Sequence, residues 1–201
     1  MPKELMNEAE RFLLDHWQDA RLLEESMDDI RTKYKELFEG ITQSVTESHR
    51  ELDASRSAVT QFWGQGSIGF GRRSWPSGES NWPSGLWVEN LRLEVLTAED
   101  SEPPYACIWV PKKTNLEFAP ARLVVNEAAR ELLAPEDFEG AMTVDEQMLL
   151  YLPAPSKREL LSALSNGDGQ RFVELFVSQF DMMARFVPVL DKVFRECLKK
   201  D

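Results

Sequence analysis

Two tryptophan-led turns are the residues best placed to do chemistry in this chain. Trp75-Pro76-Ser77-Gly78 recurs as Trp82-Pro83-Ser84-Gly85, with Glu79-Ser80-Asn81 between them and Arg72-Arg73 just ahead. Pro-Ser-Gly suits the centre of a tight turn. Tryptophan and arginine are the side chains most enriched at binding hot spots. Arg72, Arg73, Trp75 and Trp82 are therefore candidates for a binding surface. The plainer reading folds both tryptophans over a small sheet as a lid.

Trp87 and Glu89 complete the candidate set. Between Leu86 and Leu96 the chain alternates, with Trp87, Glu89, Leu91, Leu93 and Val95 on one face. A carboxyl on such a face has its pKa raised by desolvation and can serve as a general acid or base. Glu94 points to the other face, so the two acids form no pair. An edge position or an ion pair with an arginine is the competing role for Glu89, and no residue is assigned a catalytic part.

The remaining motifs weigh less. Gly64-Gln65-Gly66-Ser67-Ile68-Gly69 matches GxGxxG, but a dinucleotide site needs a strand before it and a helix after it. Here helix precedes and Trp-Pro-Ser-Gly follows. No lysine lies between Lys35 and Lys112 to serve a kinase-like glycine loop. The expectation is a glycine-rich strand where another element approaches closely. Cys107 and Cys197 are far apart and in no CxxC, which argues against a zinc site or a disulfide framework and for small buried hydrophobes. The acidic stretch from Pro135 to Glu146 lacks the alternating oxygen-ligand pattern of a calcium loop. No metal and no cofactor is expected.

The elements that position these residues begin with a long helix, read over residues 3–56. A seven-residue apolar rhythm runs through Met6, Leu13, Ala20, Met27, Tyr34 and Ile41, and three residues on through Ala9, His16, Leu23, Ile30, Leu37 and Ser44. This is an a/d seam, interrupted by the polar His16 and Ser44. Phe12, Trp17, Phe38 and Val45 widen it, as suits a bundle or a helix on a sheet. Gly40 and the polar residues after it mark a place for a bend.

From about residue 60 the composition turns to Trp, Gly, Pro and β-branched residues, and an antiparallel meander is expected. Its strands are read within Phe62–Arg73, Leu86–Leu96 and Tyr105–Val110, with a fourth at Ala121–Val125. A short helix is read from Asn126 to Leu133. Met148–Leu152 is compatible with a strand or a buried helical turn. Ser156 and Glu159 fit a capping box that opens a helix to Ser165. A second long helix runs from Gln170 to Lys199, kinked at Pro188. Its apolar stripe is Phe172, Phe176, Phe180, Met183, Val187, Leu190, Phe194 and Cys197, the natural partner for the N-terminal seam.

The formal net charge is −12, and no segment is basic: residues 1–58 hold 8 basic groups against 14 acidic ones. Nucleic acid and anionic membranes are therefore not expected as partners. No apolar run is long enough for a signal peptide or a membrane span, which points to the cytoplasm. The chain reads as α+β: a small antiparallel sheet of three or four strands, flanked by a long N-terminal helix and a kinked long C-terminal helix. Residues 1–58 form a helical arm and 59–201 the body. The function read from this is a non-enzymatic interaction or regulatory protein, a homodimer through its helices that presents a Trp-rich hairpin to a protein partner. Two alternatives stand beside it. One is a ligand-binding domain or enzyme with a pocket of Trp63, Trp87 and Trp109 around Glu89. The other is an acidic inhibitor or antitoxin-like protein on a basic surface.

Overall fold

The computed structural model describes residues 7–60, 66–76, 84–111, 114–134 and 147–198, with 53–60 described as backbone. The fold is α+β, and the chain divides into two compact units, Met1–Glu39 and Gly40–Asp201.

The first unit is helical. Helix α1 (Glu8–Asp15) opens on a capping box, in which the Glu10 N–H donates to Asn7 Oδ1 at 2.9 Å and the Asn7 N–H to Glu10 Oε2 at 2.7 Å. His16 departs from helical dihedrals (φ −113, ψ 28), its ring 4.4 Å from that of Phe12. Helix α2 follows at once and spans Trp17–Ser48. The helix expected over 3–56 is thus interrupted at His16, not bent at Gly40, and ends at Ser48. Gly40 stays helical, because the buried Ile41 and Val45 outweigh the helix penalty of one glycine, about 1 kcal/mol.

In the second unit the last turns of α2 are followed by a five-stranded antiparallel sheet and further helices. The strands are β1 (Asp53–Thr60), β2 (Ser67–Gly71), β3 (Gly85–Glu89), β4 (Tyr105–Trp109) and β5 (Met148–Pro153), in meander order 1-2-3-4-5. Strand β1 begins where the helix was expected to continue. β3 is shorter than the alternation of Leu86–Leu96 predicts. Asn90 takes a left-handed conformation (φ 62) and donates from Nδ2 to the Pro103 carbonyl at 3.2 Å, which ends the strand. Residues Leu93–Thr97 then form a one-turn helix, α3.

The period-2 alternation of side chains gives the sheet two faces, both buried along its central strands. Ile68, Val88, Ala106 and Leu152 form one row across it, and Phe70, Leu86, Ile108 and Leu150 the next. All eight are buried. Phe70 meets Phe180 edge-on at 4.7 Å. Phe180 belongs to α6 (Gly169–Ala184), so this face packs on that helix. The other face carries Gly69, Trp87, Cys107 and Tyr151 in one row.

The remaining helices close the core. Helix α4 (Phe118–Leu132) takes in Ala121–Val125, which was expected as a strand. Ala121, Val125 and Ala129 are buried at a spacing of four, a helical face, while Leu123 between them is exposed. Helix α5 (Lys157–Ser165) carries the expected capping box: the Glu159 N–H donates to Ser156 Oγ at 3.2 Å and the Ser156 N–H to Glu159 Oε2 at 3.0 Å. Gly167 (φ 69) makes the turn into α6, whose N-cap Asp168 accepts from the Arg171 N–H at 2.9 Å. Pro188 divides the expected C-terminal helix rather than kinking it. Helix α7 (Val187–Glu196) starts afresh there, with the proline in its first turn, where a missing N–H costs nothing. All eight residues of the C-terminal stripe are buried.

Trp87 fixes the register of β2 on β3. A Cβ added to Gly69 would stand 2.3 Å from the Trp87 ring, and one added to Gly71 would stand 2.6 Å from the Ser84 carbonyl oxygen. Gly69→Ala is expected to lower the free energy of unfolding by about 3 kcal/mol, the upper end of overpacking costs. Urea denaturation measures this, and a loss under about 0.5 kcal/mol would mean that the indole moves aside freely.

Candidate functional site

Three surfaces collect the residues that the sequence singled out. The first is the arm. Eight of its large apolar side chains are exposed, Phe12, Leu13, Leu14, Trp17, Leu22, Leu23, Met27 and Ile30 each between 50 and 66 %, while Phe38 near its end is buried. Leu13, Leu23, Met27 and Ile30 are seam positions. His16, also on the seam, is exposed and lies 3.8 Å from Asp19. In the body the seam behaves differently. Ile41 and Val45 are buried, Gly40 faces Val173 of α6, and His49 Nε2 is 2.7 Å from Asp181 Oδ1. There the last turns of α2 come close to α6, whereas the seam positions from Leu13 to Ile30, expected to meet the C-terminal stripe, are exposed.

The second surface is built around Asp191 on α7. The Arg72 guanidinium donates to Asp191 Oδ2, and Trp75 Nε1 donates to Oδ1 at 2.8 Å. Arg72 Nε also donates to the Glu51 carbonyl at 3.0 Å, and the Trp75 ring is 5.6 Å from that of Phe194. Trp75 is 3 % exposed. It is a core anchor, which corrects the expectation that it stands on a surface hairpin. Its size and its one donor suit it to an anchored, nearly dry site. Trp82 lies outside the described residues. Ser84, from the second turn motif, ties the segment's ends together, its N–H and Oγ donating to the Pro76 carbonyl at 2.9 and 2.6 Å.

Beside this anchor opens a surface depression of about 660 Å³, lined by Arg50, Arg72 and Arg73 with Ser74, Glu51 and Leu52. Arg72 and Arg73 were legible as a pair. Arg50, from the turn that follows α2, was not, and only the fold brings it to them.

The third surface is the aromatic face of the sheet. Trp87 and Trp109 meet edge-on at 6.4 Å, and Tyr105 stacks on Tyr151 at 5.1 Å. Trp87 is buried; Trp109, Tyr105, Tyr151 and Glu89 are half-buried. Glu89 and Tyr105 are cross-strand partners. Burial pushes the Glu89 carboxyl up to about 7. Burial, and then the Glu89 charge, push the Tyr105 hydroxyl up as well. Trp63, the third expected pocket residue, lies outside the described residues. So does the first glycine of GxGxxG. Its last two, Gly66 and Gly69, flank and enter β2, where other backbone and the Trp87 ring come close.

Among the described residues no three His, Cys, Asp or Glu side chains gather as metal ligands, and no helix is long and apolar enough to cross a membrane. Both cysteines are buried and neither forms a disulfide. Compared with known protein families, curated proteins and solved structures, the chain matches none.

Two outcomes follow from these geometries. Asp191→Ala leaves Arg72 and the Trp75 indole N–H without their acceptor, and is expected to cost about 1–3 kcal/mol of stability in urea denaturation. Glu89 has a folded value near 7 against an ordinary 4.5. Folding therefore favours its protonated form, and the stability it contributes is full below pH 4.5 and lost as pH rises to about 7. Glu89→Gln should thus raise the melting temperature at about pH 8 and leave it nearly unchanged at about pH 4.5. Equal shifts at both pH values would place the carboxyl in water.

Proposed function

We propose that this is a non-enzymatic interaction protein that associates with itself through the exposed seam of its N-terminal arm. The observation that carries the reading is the run of eight large apolar side chains, Phe12 to Ile30, all at least half exposed. Patches of that kind mark contact surfaces. The spacing of Leu13, Leu23, Met27 and Ile30 narrows the kind of contact. Side chains repeating at a and d pack into the holes of another helix of the same pattern. A second copy supplies such a helix without any further partner. Specific interfaces begin at about 1,000 Å² of total buried area, and eight large side chains on each of two copies are of that order.

Trp75 takes no part in this reading, since it anchors the core. The acidic charge bears on partner choice, because it disfavours other acidic surfaces and long polyanions.

Light scattering after size exclusion tests the proposal. The full chain is expected at twice 23.1 kDa. Leu23→Glu with Ile30→Glu puts charge on the seam layers either side of Met27 and is expected to return the mass to that of one chain, with the thermal melt of the body unchanged. A single-chain mass for the wild type at micromolar concentration would overturn the reading.

A further inference from the structure

We infer that the arm of the second copy runs antiparallel to the first, with Leu13 of one chain level with Ile30 of the other. The inference rests on the self-association proposed above and adds its direction and register.

A register needs a continuous seam. His16 interrupts the helical dihedrals but not the hydrogen-bond ladder. Its N–H donates to the Phe12 carbonyl at 3.1 Å, and its carbonyl accepts from the Ala20 N–H at 2.9 Å. The seven-residue phase therefore carries from Leu13 through Ala20, Leu23 and Met27 to Ile30.

The residues beside the seam set the direction in which two such helices pair. Glu10, Trp17, Glu24 and Arg31 each follow a d position, and Phe12, Asp19, Ser26 and Lys33 each precede an a position. These flanks are acidic toward the N-terminus and basic at Arg31 and Lys33. In a parallel pair, a residue before a meets the residue five further on in the other chain. That sets Asp19 against Glu24 on both sides of the dimer and forms no pair of opposite charge. Turning one arm round brings Glu10 beside Arg31, Phe12 beside Lys33, Trp17 beside Glu24 and Asp19 beside Ser26. No like charges then face each other. Glu10 already accepts the Asn7 N–H, and Arg31 donates to Asp28 at 3.1 Å. A carboxylate has further lone pairs and a guanidinium further donors, so both can serve a second partner. Exposed ion pairs of this kind add little energy. Their weight lies in choosing between arrangements, since the parallel one opposes acids.

Charge fixes the register as well. Sliding the antiparallel arms by one heptad in one sense sets Glu24 against Glu24. Sliding them in the other sets Asp19 against Asp19 and Glu10 against Glu24.

The seam layers favour the same arrangement. In a parallel pair a faces a and d faces d, so Ala20 meets Ala20 and His16 meets His16. One layer is left underfilled and the next places two polar rings together. In the antiparallel pair a faces d: Leu13 meets Ile30, Ala20 meets Leu23, and His16 meets Met27. Small then lies against large, which fills the layer. The imidazole lies against a flexible thioether chain that adapts to it. The exposed run from Phe12 to Ile30 is covered end to end.

Disulfide trapping in the full chain tests this. Leu13→Cys, Ile30→Cys and their equimolar mixture are equilibrated in a glutathione redox buffer and analysed by mass spectrometry. The chain's own two cysteines are buried, and the wild type gives the background. A disulfide needs Cα atoms within about 7 Å. Antiparallel pairing holds the two Leu13 positions about 25 Å apart along the axis, at about 1.5 Å per residue. The mixture is therefore expected to hold about tenfold more disulfide-linked dimer than either variant alone, joined between the two variants. His16→Cys with Met27→Cys repeats the test at a second layer, should one of the first variants fail to fold. Light scattering on the same samples keeps the two readings apart. A single-chain mass removes self-association and this inference with it. A dimer in which Leu13→Cys alone links to itself overturns the direction and leaves self-association standing. A dimer that forms no disulfide in either mixture overturns the register.

Discussion

The body depends on one contact, the Trp87 indole lying where Gly69 has no side chain. Strands of a meander slip easily unless something penalises the wrong register. Here the penalty is steric. Gly69, Gly71 and Gly85 each face a neighbour that a Cβ would strike, at 2.3, 2.6 and 2.5 Å. Moving β2 by one residue would bring Ile68 or Phe70 under the indole. It would also turn the other face's rows away from α6. One bulky residue and three absent side chains thus fix which face packs on α6 and which carries the aromatic rings.

Asp191 does for the loops what Trp87 does for the sheet. It draws Arg72 and Trp75 onto α7 from 119 and 116 residues away in the chain. Both carboxylate oxygens are used, one for a charged donor and one for a neutral one. The arrangement satisfies the indole N–H of a nearly buried tryptophan and also holds an arginine at the surface. Structure and candidate site therefore share a residue: the ion pair that seals the core's edge is what presents the guanidinium to the depression.

How much of this could be read from sequence varied with the range of the interactions. The C-terminal stripe, stepping by threes and fours from Phe172 to Cys197, declared its burial at every position, because helical periodicity is local and these residues are large. The capping box at Ser156 was equally local. Helix α4 was obscured because its buried face is made of Ala121, Val125 and Ala129, while the more conspicuous Leu123 points outward. Strand β1, Asp-Ala-Ser-Arg-Ser-Ala-Val-Thr, has no apolar alternation to reveal it. The strand end at Asn90 rests on one left-handed residue. Of the candidate site, the adjacent pair Arg72-Arg73 was visible. The role of Trp75 was not, since a turn tryptophan looks the same whether it faces water or a carboxylate across the fold. Arg50 reaches the depression only through the packing of α2's end, which no spacing encodes.

The same helix shows what the two units ask of an apolar stripe. At Ile41 the seam, and at Val45 the stripe beside it, are buried and help close the core; from Leu13 to Ile30 the seam's large apolar side chains are exposed. A helix in water draws little stability from its own hydrogen bonds, and most comes from burying a face. The arm's acidic charge makes that burial harder, since two copies repel one another over distances up to the screening length. The attraction between copies must therefore come from the seam itself, where side chains are apolar and closely spaced, and must exceed the repulsion of the outer faces. A surface built this way is selective: it rejects acidic proteins at long range and admits a helix that offers the matching seam.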